Sequence, residues 1–165
     1  MHRASGLEPG TRGREDSRSR CDATTISNVD VTGLDAEELT LRRFVIADRR
    51  DRLASVVRTK KRYSEIVSWL SHGHPWDDRW CRELPVRDQT AAAVERILRS
   101  HGAPEICHTL GGSGGVDGKQ LPLHDALAQI VGSCIGTLVI CIPGQLAYHE
   151  GEELHDRNVL HRPPA

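Results

Sequence analysis

Apolar residues recur three and four positions apart in several stretches of the chain and run together in one other. Tyr63, Ile66, Val67 and Leu70 stand at i, i+3, i+4 and i+7, which is one face of a helix, and Gly73 supplies the stop. Ala91, Val94, Ile97 and Leu98, at i, i+3, i+6 and i+7, give a second helical face, with Asp88 as a cap and Gly102 and Pro104 beyond the end. Leu123, Ala126, Leu127, Ile130 and Val131 give a third face behind Pro122, a residue suited to the first helical position. Nearer the N-terminus, Asp35 can cap a helix carrying Glu37 and Glu38 in its first turn. The apolar positions Leu39, Val45, Ile46, Leu53, Val56 and Val57 follow. The run Asp48-Arg49-Arg50-Asp51-Arg52 blurs this face and predicts a break near residue 48.

Residues 136–142 (GTLVICI) form a continuous apolar, β-branched run, the pattern of a central strand covered on both faces. Shorter strands are expected at 105–110, 145–150 and 157–161, the second entered through the turn Pro143-Gly144. Residues 72–87 read as a loop with buried Trp76 and Trp80, and 111–120 (GGSGGVDGKQ) as a glycine-rich loop. The fold class is therefore α+β. A strand–helix–strand unit closes through a right-handed crossover into a parallel pair, and two tight turns then add a meander. The expectation is a four-stranded mixed sheet with helices packed on one face. Residues 1–34 lack apolar periodicity and are expected to be a disordered tail. A helical segment spans 35–73, a loop 74–87 and an α-β-α-β-β-β domain 88–165, the last sharing one core with the helical segment.

Composition narrows this picture. Hydrophobic residues make up 38% of 165 and aromatics only 4%, so the core must be aliphatic. The formal net charge of −1 gives no global field toward nucleic acid or an anionic membrane, so an electrostatic partner requires a local patch. The longest apolar stretch, 130–142, is broken by glycines and is shorter than the roughly 20 residues a bilayer needs. The first residues lack the apolar segment of a secretion signal, and the five cysteines are irregularly spaced. Reduced thiols and a cytoplasmic location are expected, with no membrane contact and no implied cofactor.

Two constellations supply candidate site residues. Arg58, Lys60, Lys61 and Arg62 precede the helix at Tyr63, where cations oppose the helix macrodipole. A bound phosphate would compensate, so the cluster is a candidate anion-binding site. No aromatic series accompanies it, and single-strand stacking is not indicated there. The glycine-rich loop, with Gly112, Gly115, Gly118 and Lys119, sits between a predicted strand and a predicted helix, the place of phosphate-binding loops. It departs from a P-loop, since Ser113 stands at the required glycine and Gln120 at the magnesium-binding hydroxyl. His72, His74 and Cys81 are zinc-ligand types without a matching second set, and no metal is assigned. Cys107 and His108 are adjacent on one strand, so they point to opposite faces and cannot pair as nucleophile and base. The expected function is a small binding domain that contacts a polyanion or nucleic acid through a basic helix start. The alternatives are a small enzyme or ligand-binding domain using loop 111–120, and a protein-interaction domain.

Overall fold

A computed structural model describes residues 33–59, 63–72, 75–112, 115–153 and 156–164. Three helices come first: α1 (Gly33–Phe44), α2 (Ala47–Arg58) and α3 (Tyr63–His72). Strand β1 (Cys81–Glu83), a short 3-10 turn (Val86–Asp88) and helix α4 (Ala91–Ser100) follow. The remainder is β2 (Ile106–Gly111), β3 (Gln120–Pro122), α5 (Leu123–Ile130), β4 (Thr137–Ile142), β5 (Leu146–Glu150) and β6 (Arg157–His161). None of the described helices is long and apolar enough to cross a membrane.

The fold is α+β, but the sheet is not the expected four-stranded mixed one. Among the described residues it has six strands in the order β1-β6-β5-β4-β2-β3, and every neighbouring pair is antiparallel. The difference lies in two strands of three residues each. β1 falls inside the stretch read as a loop, and β3 is carved out of the end of the glycine-rich loop. Strands so short show no alternation to detect. Pro122 also argues against a strand, and is tolerated here because β3 is an edge. The extra strand reverses the chain before α5. β3 and β4 both run antiparallel to β2, and are therefore parallel to each other, with α5 joining them past β2. The strand–helix–strand rule thus applies to β3-α5-β4 rather than to β2 and β4.

Helices cover both faces, not one. Successive residues of a strand point to opposite sides, and the register turns this into two cores. Val139, Cys141, Leu146, Tyr148 and Val159 pack under α4 and α5 with Val94, Leu98, Leu123 and Leu127. Leu138, Ile140, Ala147 and Leu160 pack under α1, α2 and α3 with Leu41, Phe44, Leu53, Ile66 and Leu70. The apolar run at β4 supplies both layers, as its unbroken pattern implied.

The expected break between the first helices comes slightly earlier than residue 48. Val45 forms an isolated bridge with Trp76, and the Ile46 N–H donates to the Pro75 carbonyl at 2.9 Å, so neither residue is free to extend α1. Thr90, not Asp88, caps α4, accepting from the Ala93 N–H at 3.3 Å. The close packing of α3 on β4 depends on Gly136. A Cβ there would lie 2.3 Å from the backbone nitrogen of Ser71.

Candidate functional site

A helix leaves its last carbonyls without intrahelical partners. Those at the end of α1 are met by groups from three other parts of the chain. Arg162, just after β6, donates through Nη1 to the Arg43 carbonyl at 3.1 Å. The Asp77 N–H donates to the Phe44 carbonyl at 2.8 Å. Arg50, in the first turn of α2, donates through Nε and Nη2 to the Val45 carbonyl at 3.2 and 3.1 Å. Cations at a helix C-terminus are favoured by the macrodipole, so capping accounts for part of this arrangement.

It does not account for all of it. Arg79 binds the Asp77 carboxylate through Nε at 2.9 Å and Nη2 at 2.5 Å. This pair, helped by Arg50, holds the Asp77 carboxyl down to about 2. The Arg162 guanidinium lies over the ring of Trp80, 4.7 Å from its centroid. Burial, and then repulsion from Arg43, Arg50 and Arg79, push the Arg162 pKa below its ordinary value, while Asp77 acts the other way. Arg162 thus feels three further guanidinium groups, and Asp77 is bound by Arg79 and lies in the field of Arg50. The next residue, Asp78, is a second carboxylate in this stretch and helps raise the Cys81 thiol.

Helix α2 extends the basic surface. Its N-cap, Ile46, makes no side-chain capping bond, and Arg49 and Arg50 follow in the first turn behind Asp48, which suits the dipole there. Each cation at such a position costs about 0.3–1 kcal/mol against the helix dipole. The two side chains diverge. Arg50 turns to the end of α1, and Arg49 places its guanidinium 5.8 Å from the centroid of Trp69 on α3. Between α2 and α3 lies a groove of about 520 Å³, lined by Asp48, Arg49, Arg52, Glu65, Ser68 and Trp69 among others.

The residues singled out from sequence fare differently. Of the basic cluster, Arg58 ends α2 and binds Glu38 at 2.5 Å; Lys60, Lys61 and Arg62 lie outside the described residues. Glu38 is shared with Arg42 at 2.8 Å, and the two guanidinium groups hold its carboxyl below the usual range. The glycine-rich loop joins two antiparallel strands and does not open a helix, because β3 intervenes before α5. Gly112 and Gly118 adopt φ of 86° and 64°, and Gly115 is exposed. Lys119 folds back, donating from Nζ to the Gly115 carbonyl at 2.6 Å. His74 lies outside the described residues, while His72 pairs with Glu152 at 3.2 Å. Among the described residues no group of three potential ligands is placed to hold a metal.

Cys107 and His108 do face apart. Cys107 belongs to the α4–α5 core, where burial raises its thiol to about 11, so little nucleophilic thiolate forms. Burial likewise pushes Cys141 up and Cys81 to about 12. The described cysteines, Cys81, Cys107, Cys134 and Cys141, are unbridged. His108 points toward α1 and is buried, with Nε2 2.7 Å from Glu37 Oε1 and no hydrogen-bond partner for Nδ1. A Cβ on Gly33 would come within 2.7 Å of the ring, so the first residue of α1 seals it.

Local sequence patterns do not reveal the arginine cluster and its tryptophans. Arg43 and Arg162 are 119 positions apart, a separation no local pattern can bridge. One signal was available: Arg49 and Arg50 break the first-turn charge rule at α2 just as Arg58 to Arg62 do before α3. No protein-family model, curated protein or solved structure matches this chain, so the site rests on its own geometry.

Proposed function

We propose that the protein is a binding module for a polyanion, nucleic acid in the first instance, and that the end of α1 is its contact surface. The observation that carries this reading is the gathering of arginines at the end of α1: Arg162 and Arg50 bind the Arg43 and Val45 carbonyls, Arg79 pairs with Asp77, and Arg43, Arg50 and Arg79 all repel Arg162. A phosphate group relieves such repulsion, and arginine suits phosphate because its planar fork can bind two oxygens at once. Contacts of this kind fix position without reading sequence. Arg43, Arg50 and Arg162 are partly buried, which limits the side-chain entropy cost of binding. Arg58, which ends α2, and Lys60, Lys61 and Arg62, which follow it in the sequence, are a second candidate contact.

The test is a titration of labelled oligonucleotides and heparin against wild type, Arg50→Ser/Arg162→Ser and Lys60→Glu/Lys61→Glu. Wild type should bind in a salt-sensitive, weakly sequence-dependent manner. In the first variant the log–log salt slope should fall by about 0.7–0.9 for each phosphate that is no longer neutralised. An unchanged slope there with a reduced slope in the second variant would move the site to residues 58–62. Absence of binding to every probe at low salt would overturn the reading.

One observation favours the alternative, a small enzyme or ligand-binding domain beside the glycine-rich loop. The carboxylate of Glu37 orients the His108 imidazole, and the other ring nitrogen lacks a partner. A general base needs this orientation, and would also need an opening past Gly33, which seals the ring. Asp117 from the same loop stands close enough for Glu37, after burial, to help raise its carboxyl. Loss of a ligand or an activity in His108→Gln, with polyanion binding intact, would favour it.

A further inference from the structure

We infer that the nucleic acid is single-stranded and that its bases stack on Trp69 and Trp80, taking the places now held by Arg49 and Arg162. This deepens the polyanion reading and rests on it. Trp69 and Trp80 are both half-buried and pack against the α1–α3 core. Each ring carries a guanidinium, at 5.8 Å for Arg49 on Trp69 and 4.7 Å for Arg162 on Trp80. Arg49, in the first turn of α2, reaches Trp69, and Arg50 beside it reaches the end of α1, where Arg162 lies over Trp80.

A guanidinium and a nucleobase are both flat groups that stack on indole, so one can replace the other without opening a new cavity. The exchange gives up the two cation–π contacts and the Arg162 bond to the Arg43 carbonyl, and gains base stacking and phosphate pairing. The base gains an aromatic platform, and the displaced arginine keeps its charge and is released toward the phosphate beside that base. Alternating arginine and aromatic positions along a surface is the arrangement that single-strand binders use.

The shape of the surface decides against duplex. The groove between α2 and α3 is bounded by side chains of both helices, and Trp69 lies in its wall. A splayed base can enter it, whereas bases stacked inside a duplex cannot reach a ring packed on the core. The groove also carries the carboxylates of Asp48 and Glu65, Glu65 being bound to Arg52 at 2.7 Å. They can accept hydrogen bonds from exocyclic amines of a base.

The experiment compares fluorescein-labelled oligo(dT) of about 20 nucleotides, a mixed-sequence duplex of equal length, and heparin, all with the full chain at low salt. Tryptophan emission is followed in parallel. Trp76 is 1% exposed and contributes a constant background, so quenching reports Trp69 and Trp80. The expected result is quenching by oligo(dT) but not by heparin, and tighter binding of the single strand than of the duplex. Trp69→Leu and Trp80→Leu should each weaken oligo(dT) about 5- to 150-fold and leave heparin unchanged. Should either variant fail to fold, the wild-type quenching decides alone. Equal binding of all three probes without quenching overturns the stacking inference and leaves the arginine cluster standing as a generic polyanion site. No binding of any probe overturns both.

Discussion

Two charged clusters stand at opposite ends of β6, and they are built on opposite principles. At its start, Arg157 and the buried Glu150 face each other in the β5–β6 register. Glu150 Oε1 accepts from Arg157 Nε and Nη2, each at 3.0 Å, and from the Gly132 N–H at 2.9 Å. Its other oxygen accepts from the Tyr148 hydroxyl. Arg157 Nη1 donates to Gln89 Oε1 at 3.1 Å, and Gln89 Nε2 donates on to the Leu84 carbonyl at 2.8 Å. Burial, and then the nearby Glu150 carboxylate, raise the Tyr148 pKa and keep its hydroxyl a donor. One cation meets one anion, and the polar atoms around them are satisfied. Beyond the end of β6, Arg162 is repelled by Arg43, Arg50 and Arg79 and attracted by Asp77. The first cluster is complete within the molecule and ties the α5–β4 turn, the 3-10 turn and two strands together. The second is left with excess charge at a partly exposed surface. A closed network serves the fold, and an excess of one sign serves a partner.

Breaking the closed cluster should have the largest effect. Arg157→Met strands the Glu150 carboxylate in a buried site, and removal of one partner of such a pair costs about 3–5 kcal/mol. Urea unfolding should show a loss of that size. A loss below about 1 kcal/mol would mean that the network is looser than its geometry. A backbone contact gives the next largest expected effect. Gly136→Ala drives a methyl group into the Ser71 backbone, and should cost about 1–3 kcal/mol in the same assay. An unchanged midpoint would show that α3 can move off the sheet freely.

The acid limb probes the open cluster. The Asp77 carboxyl is held at about 2, below its value of 3.8 when unperturbed. Its contribution is therefore fully present above about pH 4 and is lost as the pH falls through about 2. Stability followed from pH 5 to 1.5 should fall less steeply in Asp77→Asn than in wild type. Parallel curves would show that Arg79 and Asp77 do not hold together in solution. The smallest effect, and the one that most sharpens the contrast, is expected at Arg43. Arg43→Gln removes a charge that repels Arg162. At low salt its stability should equal or slightly exceed that of wild type, by no more than ~0.5 kcal/mol, and the difference should vanish at high salt. A clear loss of stability would mean that Arg43 is paired and that the excess charge is smaller than the geometry implies.

Much of the fold was legible because local patterns carried it. The faces at Tyr63–Leu70, Ala91–Leu98 and Leu123–Ile130 became α3, α4 and α5, and the apolar run at 136–142 became the strand shared by both cores. The three-residue strands β1 and β3 were not legible, since so few residues hold no period, and without them an antiparallel sheet reads as a mixed one. The candidate site was legible only in fragments. Asp48 to Arg52 stood out as a charge run, yet nothing nearby placed Arg162 or Trp80 beside it.

The sequence by itself determined the helices, the longer strands and the requirement for a local patch on a nearly neutral chain. Helical and strand periods are set by neighbours a few residues apart, and a short window reads them. Tertiary structure alone decided the strand order, the second helical layer and the meeting of Arg43, Arg50, Arg79 and Arg162. Each of these depends on which distant segments share an edge or a face. Whether the unpaired carbonyls at the end of α1 face water or are captured by arginines from elsewhere is settled only when the chain closes on itself.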